Sequence, residues 1–124
     1  IMTTVYIYLR SVKADGKEAL ALFDSNRGGA INNLITEVPA GTRIIWRPDC
    51  CSGIENIVSI RSKSGKGNVF TSEPKKKLFC RGMVLQLEKT AIGEEAYFIE
   101  YLSSQGEKMR IDPYIKIKPP EGQP

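Results

Sequence analysis

Cys50, Cys51 and Cys80 are the residues of this chain with the widest chemical range, and the first two are adjacent. Thiolates bind soft metals and attack electrophiles. Structural zinc takes four ligands, however, and the chain has no histidine and no Cys-x-x-Cys spacing to complete a set around the three thiols. As nucleophiles they lack an imidazole to take their proton, although a nearby Lys or Arg can lower a thiol pKa. Adjacent Cα atoms lie about 3.8 Å apart, which is below the usual disulfide spacing, so a Cys50–Cys51 bond would be strained. The sequence therefore predicts reduced thiols, with Cys50 and Cys51 in a turn after Pro48-Asp49 and Cys80 packed beside Phe79 as a small apolar side chain. Thiol-based metal binding at Cys50 and Cys51, with Cys80 as a further candidate ligand, is the alternative. An odd cysteine count, with neither the basic start nor the small-residue cleavage site of a signal peptide over Ile1 to Leu9, favours a reducing, cytoplasmic compartment.

The second candidate is a basic strip. Between Arg61 and Arg81 the chain holds Arg61, Lys63, Lys66, Lys75, Lys76, Lys77 and Arg81 against the single acid Glu73. That leaves 11 of the 18 basic residues and 13 of the 14 acidic ones for a slightly acidic remainder, within a net charge of +4. With Phe70 and Phe79 interleaved, the strip has the composition of a nucleic-acid or polyanion surface. The alternative is that these lysines solvate a long connection and keep nearby strand edges from pairing with other chains. The binding residues predicted on the first reading are Lys63, Lys66, Lys75, Lys76, Lys77 and Arg81.

The carboxylates Glu94-Glu95, Asp24, Asp49 and Asp112 show no spacing that makes them converge, as general acid–base chemistry requires; Glu94 and Glu95 are expected to be solvated. Gly28-Gly29 and Ser64-Gly65-Lys66-Gly67 do not lie between a strand and a helix, as a phosphate-binding loop must. No cofactor is expected, and the reading is of a protein that is not an enzyme.

The elements that must position these residues are strands. Val5, Ile7 and Leu9 alternate with Tyr6, Tyr8 and Arg10 over Thr3 to Ser11, a period of two. Ala14-Asp15-Gly16 reads as a turn, and Glu18 to Phe23 as a second strand. Asp24 to Asn33 is too rich in turn formers for regular structure and reads as a loop. Leu34, Thr36 and Val38 alternate into Pro39-Ala40-Gly41, and Thr42, Ile44 and Trp46 alternate out of it. Ile54 to Ile60 mixes helical and strand spacing, and its short length favours a strand. Ser62 to Phe79 reads as a long surface connection anchored by Val69 and Phe70. Met83, Leu85 and Leu87 mark a further strand. Tyr97, Ile99 and Tyr101 then pair with Ile111, Pro113, Ile115 and Ile117 across Ser103-Ser104-Gln105-Gly106 in a closing hairpin. Trp46, Tyr97 and Tyr101 fall on the inward alternations. Asp112-Pro113 reads as a bulge or strand start.

A hairpin needs a second apolar layer, and 124 residues with 41% hydrophobic and 26% charged content suffice for one domain. The expected architecture is a small antiparallel Greek-key β-sandwich over residues 1–118, with 119–124 as a flexible tail. No apolar run approaches the ~20 residues of a membrane helix.

The order Val38-Pro39-Ala40-Gly41-Thr42-Arg43-Ile44-Ile45-Trp46, Ile54 to Ile60, Tyr97-Phe98-Ile99-Glu100-Tyr101 and Ile111-Asp112-Pro113-Tyr114-Ile115-Lys116-Ile117 resembles the cupredoxin-like sandwich. Immunoglobulin-like sandwiches share a turn leading to a buried Trp and a terminal Tyr-x-Ile-x-Tyr hairpin. Blue-copper members of the resembled family bind their metal through two histidines, a cysteine and usually a methionine. Here the turn Ser103 to Glu107 carries neither Cys nor His, so the resemblance implies the fold without the redox centre. The function expected is that of a non-catalytic binding or accessory module acting through the Asp49–Gly53 and Arg61–Arg81 loops on a protein or polyanionic partner.

Overall fold

The computed structural model describes residues 3–25, 29–31, 35–64, 69–76 and 81–119. The order of elements is β1 (Thr4–Ala14), β2 (Lys17–Asp24), β3 (Gly29–Ile31), β4 (Ile35–Pro39), β5 (Arg43–Pro48), β6 (Ile54–Ser62), β7 (Lys75–Lys76), β8 (Met83–Gln86), β9 (Glu94–Ser103), β10 (Lys108–Ile111) and β11 (Tyr114–Lys118). They form two sheets. The six-stranded sheet runs β3-β2-β1-β5-β8-β7; in the five-stranded sheet β9 is flanked by β6 on one edge and by β10 and β11 on the other, and β11 continues to β4. The expected β-sandwich is what the chain forms. No helix among the described residues is long and apolar enough to cross a membrane.

Each sheet contributes one apolar face because side chains alternate along a strand. Val5, Ile7 and Leu9 of β1, Leu20 and Leu22 of β2, Ile44 and Trp46 of β5, and Leu85 of β8 meet Ile57, Ile60, Tyr97, Ile99 and Ile115 from the other sheet, all of them buried. The β1–β2 hairpin closes through Asp15 and Gly16, whose φ angles of 52° and 76° make the two-residue turn that matches strand twist.

Several local expectations change in the folded chain. Ile35 to Trp46 is a strand, turn and strand, with Leu34 outside the described residues, but β4 and β5 lie in different sheets, so Pro39-Ala40-Gly41 is a corner between layers. The crossing makes two pairings parallel, β1 with β5 and β4 with β11, where a purely antiparallel sandwich was expected. Asp24 to Asn33 contains a three-residue strand, β3, laid against β2; Gly28 lies outside the described residues. The Ser62 to Phe79 connection contains β7, two residues paired to the edge of β8.

The mixed spacing of Ile54 to Ile60 has a physical cause. Register shifts between Ile54 and Asn56 and between Ile57 and Ser59 insert one extra residue each against β9. Each bulge turns the strand by one position, so burial falls on Ile54, Ile57 and Ile60 while Val58 points outward. A strand with two bulges thereby acquires a period of three.

The closing hairpin forms as expected. β10 and β11 hold one continuous register along β9, with Tyr97 N–H donating to the Pro113 carbonyl across the Asp112-Pro113 interruption. Proline has no ladder donor, which places it in the break. Of the 119–124 tail, residues 120–124 lie outside the described residues.

Candidate functional site

The outer face of the six-stranded sheet gathers aromatic and cationic side chains from four strands. On β1 the residues between the inward Val5, Ile7 and Leu9 are Tyr6, Tyr8 and Arg10, which therefore point outward. The parallel register sets Tyr6 beside Ile45 and Tyr8 beside Arg47 of β5, while the antiparallel register with β2 sets Tyr8 beside Phe23. Ile45 faces Val84 of β8, and Val84 faces Lys75 of β7. Thus Phe23, Tyr8 and Arg47 form one cross-strand row, and Tyr6, Ile45, Val84 and Lys75 form the next.

The Tyr6 and Tyr8 rings stack on each other, 6.0 Å between centroids and only 14° from parallel. Phe23 is 40% exposed, large for an aromatic side chain within a sheet. Arg10, Arg43, Arg47 and Lys75 ring the aromatics. Among the described residues only Arg10 of these four has an acidic partner, with Nε and Nη2 donating to Asp49 Oδ2 at 3.0 and 2.7 Å. The guanidinium holds the Asp49 carboxyl below the usual carboxylate range. Flat rings with cations around them stack planar groups and attract anions.

The predicted strip is distributed differently. Lys75 joins the outer face just described, whereas Lys76, opposite the inward Met83, projects from the other side of the same edge. Lys63 follows β6 in the other sheet and pairs with Asp112 at 3.6 Å. Arg81 donates from Nη2 to the Ile54 carbonyl at 2.7 Å and to that of Glu55, fixing the start of β6. Lys66 and Lys77 lie outside the described residues, as does Cys80.

Cys50 and Cys51 occupy the expected turn, both exposed and reduced, with their sulfurs 3.6 Å apart. The Cys51 thiol beside it pushes the Cys50 thiol above its ordinary range. No group of three or more His, Cys, Asp and Glu side chains placed to hold a metal ion occurs among the described residues.

Glu95 departs from expectation, for it is buried while Glu94 is exposed. Its Oε1 accepts the backbone N–H groups of Val69 and Phe70 at 2.8 and 2.9 Å. This fastens the long connection over the core, where Phe70 packs 5.2 Å from the Tyr97 ring and 6.2 Å from Trp46, as expected of anchors. Trp46 Nε1 donates to Tyr97 Oη at 3.1 Å, so the buried indole and phenol satisfy each other.

A groove of ≈ 730 Å³ opens at the Pro39–Gly41 corner, between Ala91-Ile92 and the Ile117–Pro119 end of β11. Ile92 on its rim is 71% exposed. Sequence patterning marked Tyr6, Tyr8 and Arg10 as sharing a face. It gave no sign of Phe23, Arg47 or Lys75 beside them, because those neighbours come from strands distant in sequence.

No protein-family profile and no curated protein matches this chain. Among solved structures, a similar chain is that of the Bacteroides ovatus mixed-linkage glucan utilization locus protein SGBP-B in complex with a mixed-linkage heptasaccharide. The two are 11% identical with a TM-score of 0.36, over 94% of this chain and 40% of that one. The chain thus spans 40% of the length of that protein.

Proposed function

We propose that this chain is a non-catalytic binding domain, on a copper-free sandwich that resembles the cupredoxins, and that it binds single-stranded nucleic acid on the outer face of its six-stranded sheet. The observation that carries the reading is the half-exposed stacked pair Tyr6 and Tyr8, continued by Phe23 and bordered by Arg10, Arg43, Arg47 and Lys75. Bases stack on such rings regardless of sequence, at about 1–3 kcal/mol per base, while the cations follow the phosphates. The expected partner is thus a polyanion whose planar groups can splay onto a sheet.

Fluorescence anisotropy with a labelled deoxythymidine oligonucleotide tests this. Binding should weaken as salt rises, with the log–log slope falling by about 0.7 for each phosphate-contacting cation removed by Arg47→Gln or Lys75→Gln. Lack of binding at low salt, or binding indifferent to Tyr6, Tyr8 and Arg47, overturns the proposal. Salt-independent binding of a glucan oligosaccharide that requires Tyr8 would reassign the face to neutral sugars.

A further inference from the structure

At the opposite end of the sandwich from the Pro39–Gly41 corner, the Cys50–Cys51 turn has a geometry that nucleic-acid binding does not use. Asp49 N–H donates to the Leu9 carbonyl and Ser11 N–H to the Ser52 carbonyl, both at 2.8 Å, so the turn is tied to β1 at two points. Ser52 Oγ donates to the Asp49 carbonyl at 2.6 Å, and Cys50 N–H to Asp49 Oδ1 at 3.0 Å. On the far side Ser104 N–H donates to the Gly53 carbonyl at 2.9 Å. Gly53, at φ 82°, passes so close to β1 that a Cβ there would lie 3.0 Å from the Ser11 Cβ. Between these ties Cys51 is held at φ 52°, a left-handed conformation rare for a side-chain-bearing residue.

Within this frame the two exposed sulfurs lie close together. At 3.6 Å they are far outside the ~2.05 Å of a disulfide. With metal–sulfur bonds of about 2.3 Å, the same separation subtends an S–metal–S angle of about 103°, near the tetrahedral value. A linear two-coordinate ion would instead require about 4.6 Å at the same bond length.

We propose that Cys50 and Cys51 form a bidentate dithiolate site for a tetrahedral thiophilic divalent cation of the zinc class. Two metal–sulfur bonds replace two S–H bonds, both protons pass to solvent, and no electron is transferred. Solvent fills the two remaining coordination positions.

Titration of the full chain with Cd²⁺, in a reductant that carries no thiol, tests the site through the thiolate-to-metal charge-transfer band. The expected result is a band that saturates at one ion per chain and persists in Cys80→Ser. Cys50→Ser and Cys51→Gly, the latter suited to the left-handed backbone, should each weaken binding by at least the about 10–100-fold typical of losing a mere supporting contact. Far-ultraviolet circular dichroism verifies that both variants fold, and if either fails, alkylation of the folded wild-type thiols should abolish the band. No saturable band in the wild type, a band that survives removal of either cysteine of the pair or their alkylation, or one that requires Cys80 overturns the proposal.

Discussion

The six-stranded sheet carries an aromatic cluster on each face, and the two are built to opposite ends. Inward, Trp46 meets Tyr97 edge-on at 5.7 Å and both polar tips are satisfied by their mutual hydrogen bond. Outward, Tyr6 and Tyr8 lie parallel, half-buried, with Phe23 beside them and arginines around them. Edge-on packing with paired polar atoms makes a core, whereas the outer rings, stacked on each other, keep part of their surface in water. Burial and ring geometry thus set the two clusters apart, one packed between the sheets and one facing water.

The sharpest test of that division removes an inner ring. Phe70→Ala should destabilise the fold by about 3–5 kcal/mol in urea titration, while oligonucleotide affinity measured under folding conditions stays the same. A parallel loss of affinity would show that the two faces are coupled.

Next in size is the polar tie beneath the same ring. Glu95→Ala leaves the Val69 and Phe70 N–H groups without their acceptor, and an orphaned buried donor costs about 1–3 kcal/mol. Hydrogen exchange at those two amides should accelerate first, ahead of the strand amides. Glu95→Gln, which keeps an oxygen at that position, should retain most of the protection.

Burial raises the Tyr97 phenol well above its ordinary value of 10. The unfolded chain therefore loses that proton at lower pH than the folded one, and stability present below pH 10 declines above it. The slope is about 1.4 kcal/mol per pH unit, read by Trp46 fluorescence in urea, and Tyr97→Phe should flatten it. If Tyr97→Phe retains the full slope, another group is responsible.

The outer cluster should respond in reverse. Tyr8→Ala is expected to change stability by no more than about 1 kcal/mol yet weaken oligonucleotide binding about 5- to 150-fold. Smallest of all, Ile92→Ser should shift stability by less than about 0.5 kcal/mol and leave oligonucleotide affinity unchanged. A large affinity loss there would move the binding surface to the Pro39–Gly41 groove.

Much of this division is legible along the chain. The alternation that sends Val5, Ile7 and Leu9 inward also sends Tyr6, Tyr8 and Arg10 outward, and Trp46 and Tyr97 read as core for the same reason. Glu95 misled because a carboxylate beside Glu94 in a turn normally faces water; its burial follows from the Val69-Phe70 segment folding back over it. The described members of the lysine strip, contiguous in sequence, are divided among β7, the end of β6 and a backbone tie at Arg81.

By itself, then, the sequence determined the longer extended segments and, in β1, β5, β8 and β9, the side that turns inward, because the period of two is a property of a single strand and needs no partner, whereas β3, β7 and the bulged face of β6 took shape only against their neighbours. It also determined the chemical inventory, three thiols and no imidazole. Only the tertiary structure decided which strands lie side by side, since pairings such as β1 with β5 and β7 with β8 depend on how distant segments close around one core. That choice brought Phe23, Arg47 and Lys75 to Tyr6 and Tyr8, and it tied down the turn on which two sulfurs lie 3.6 Å apart.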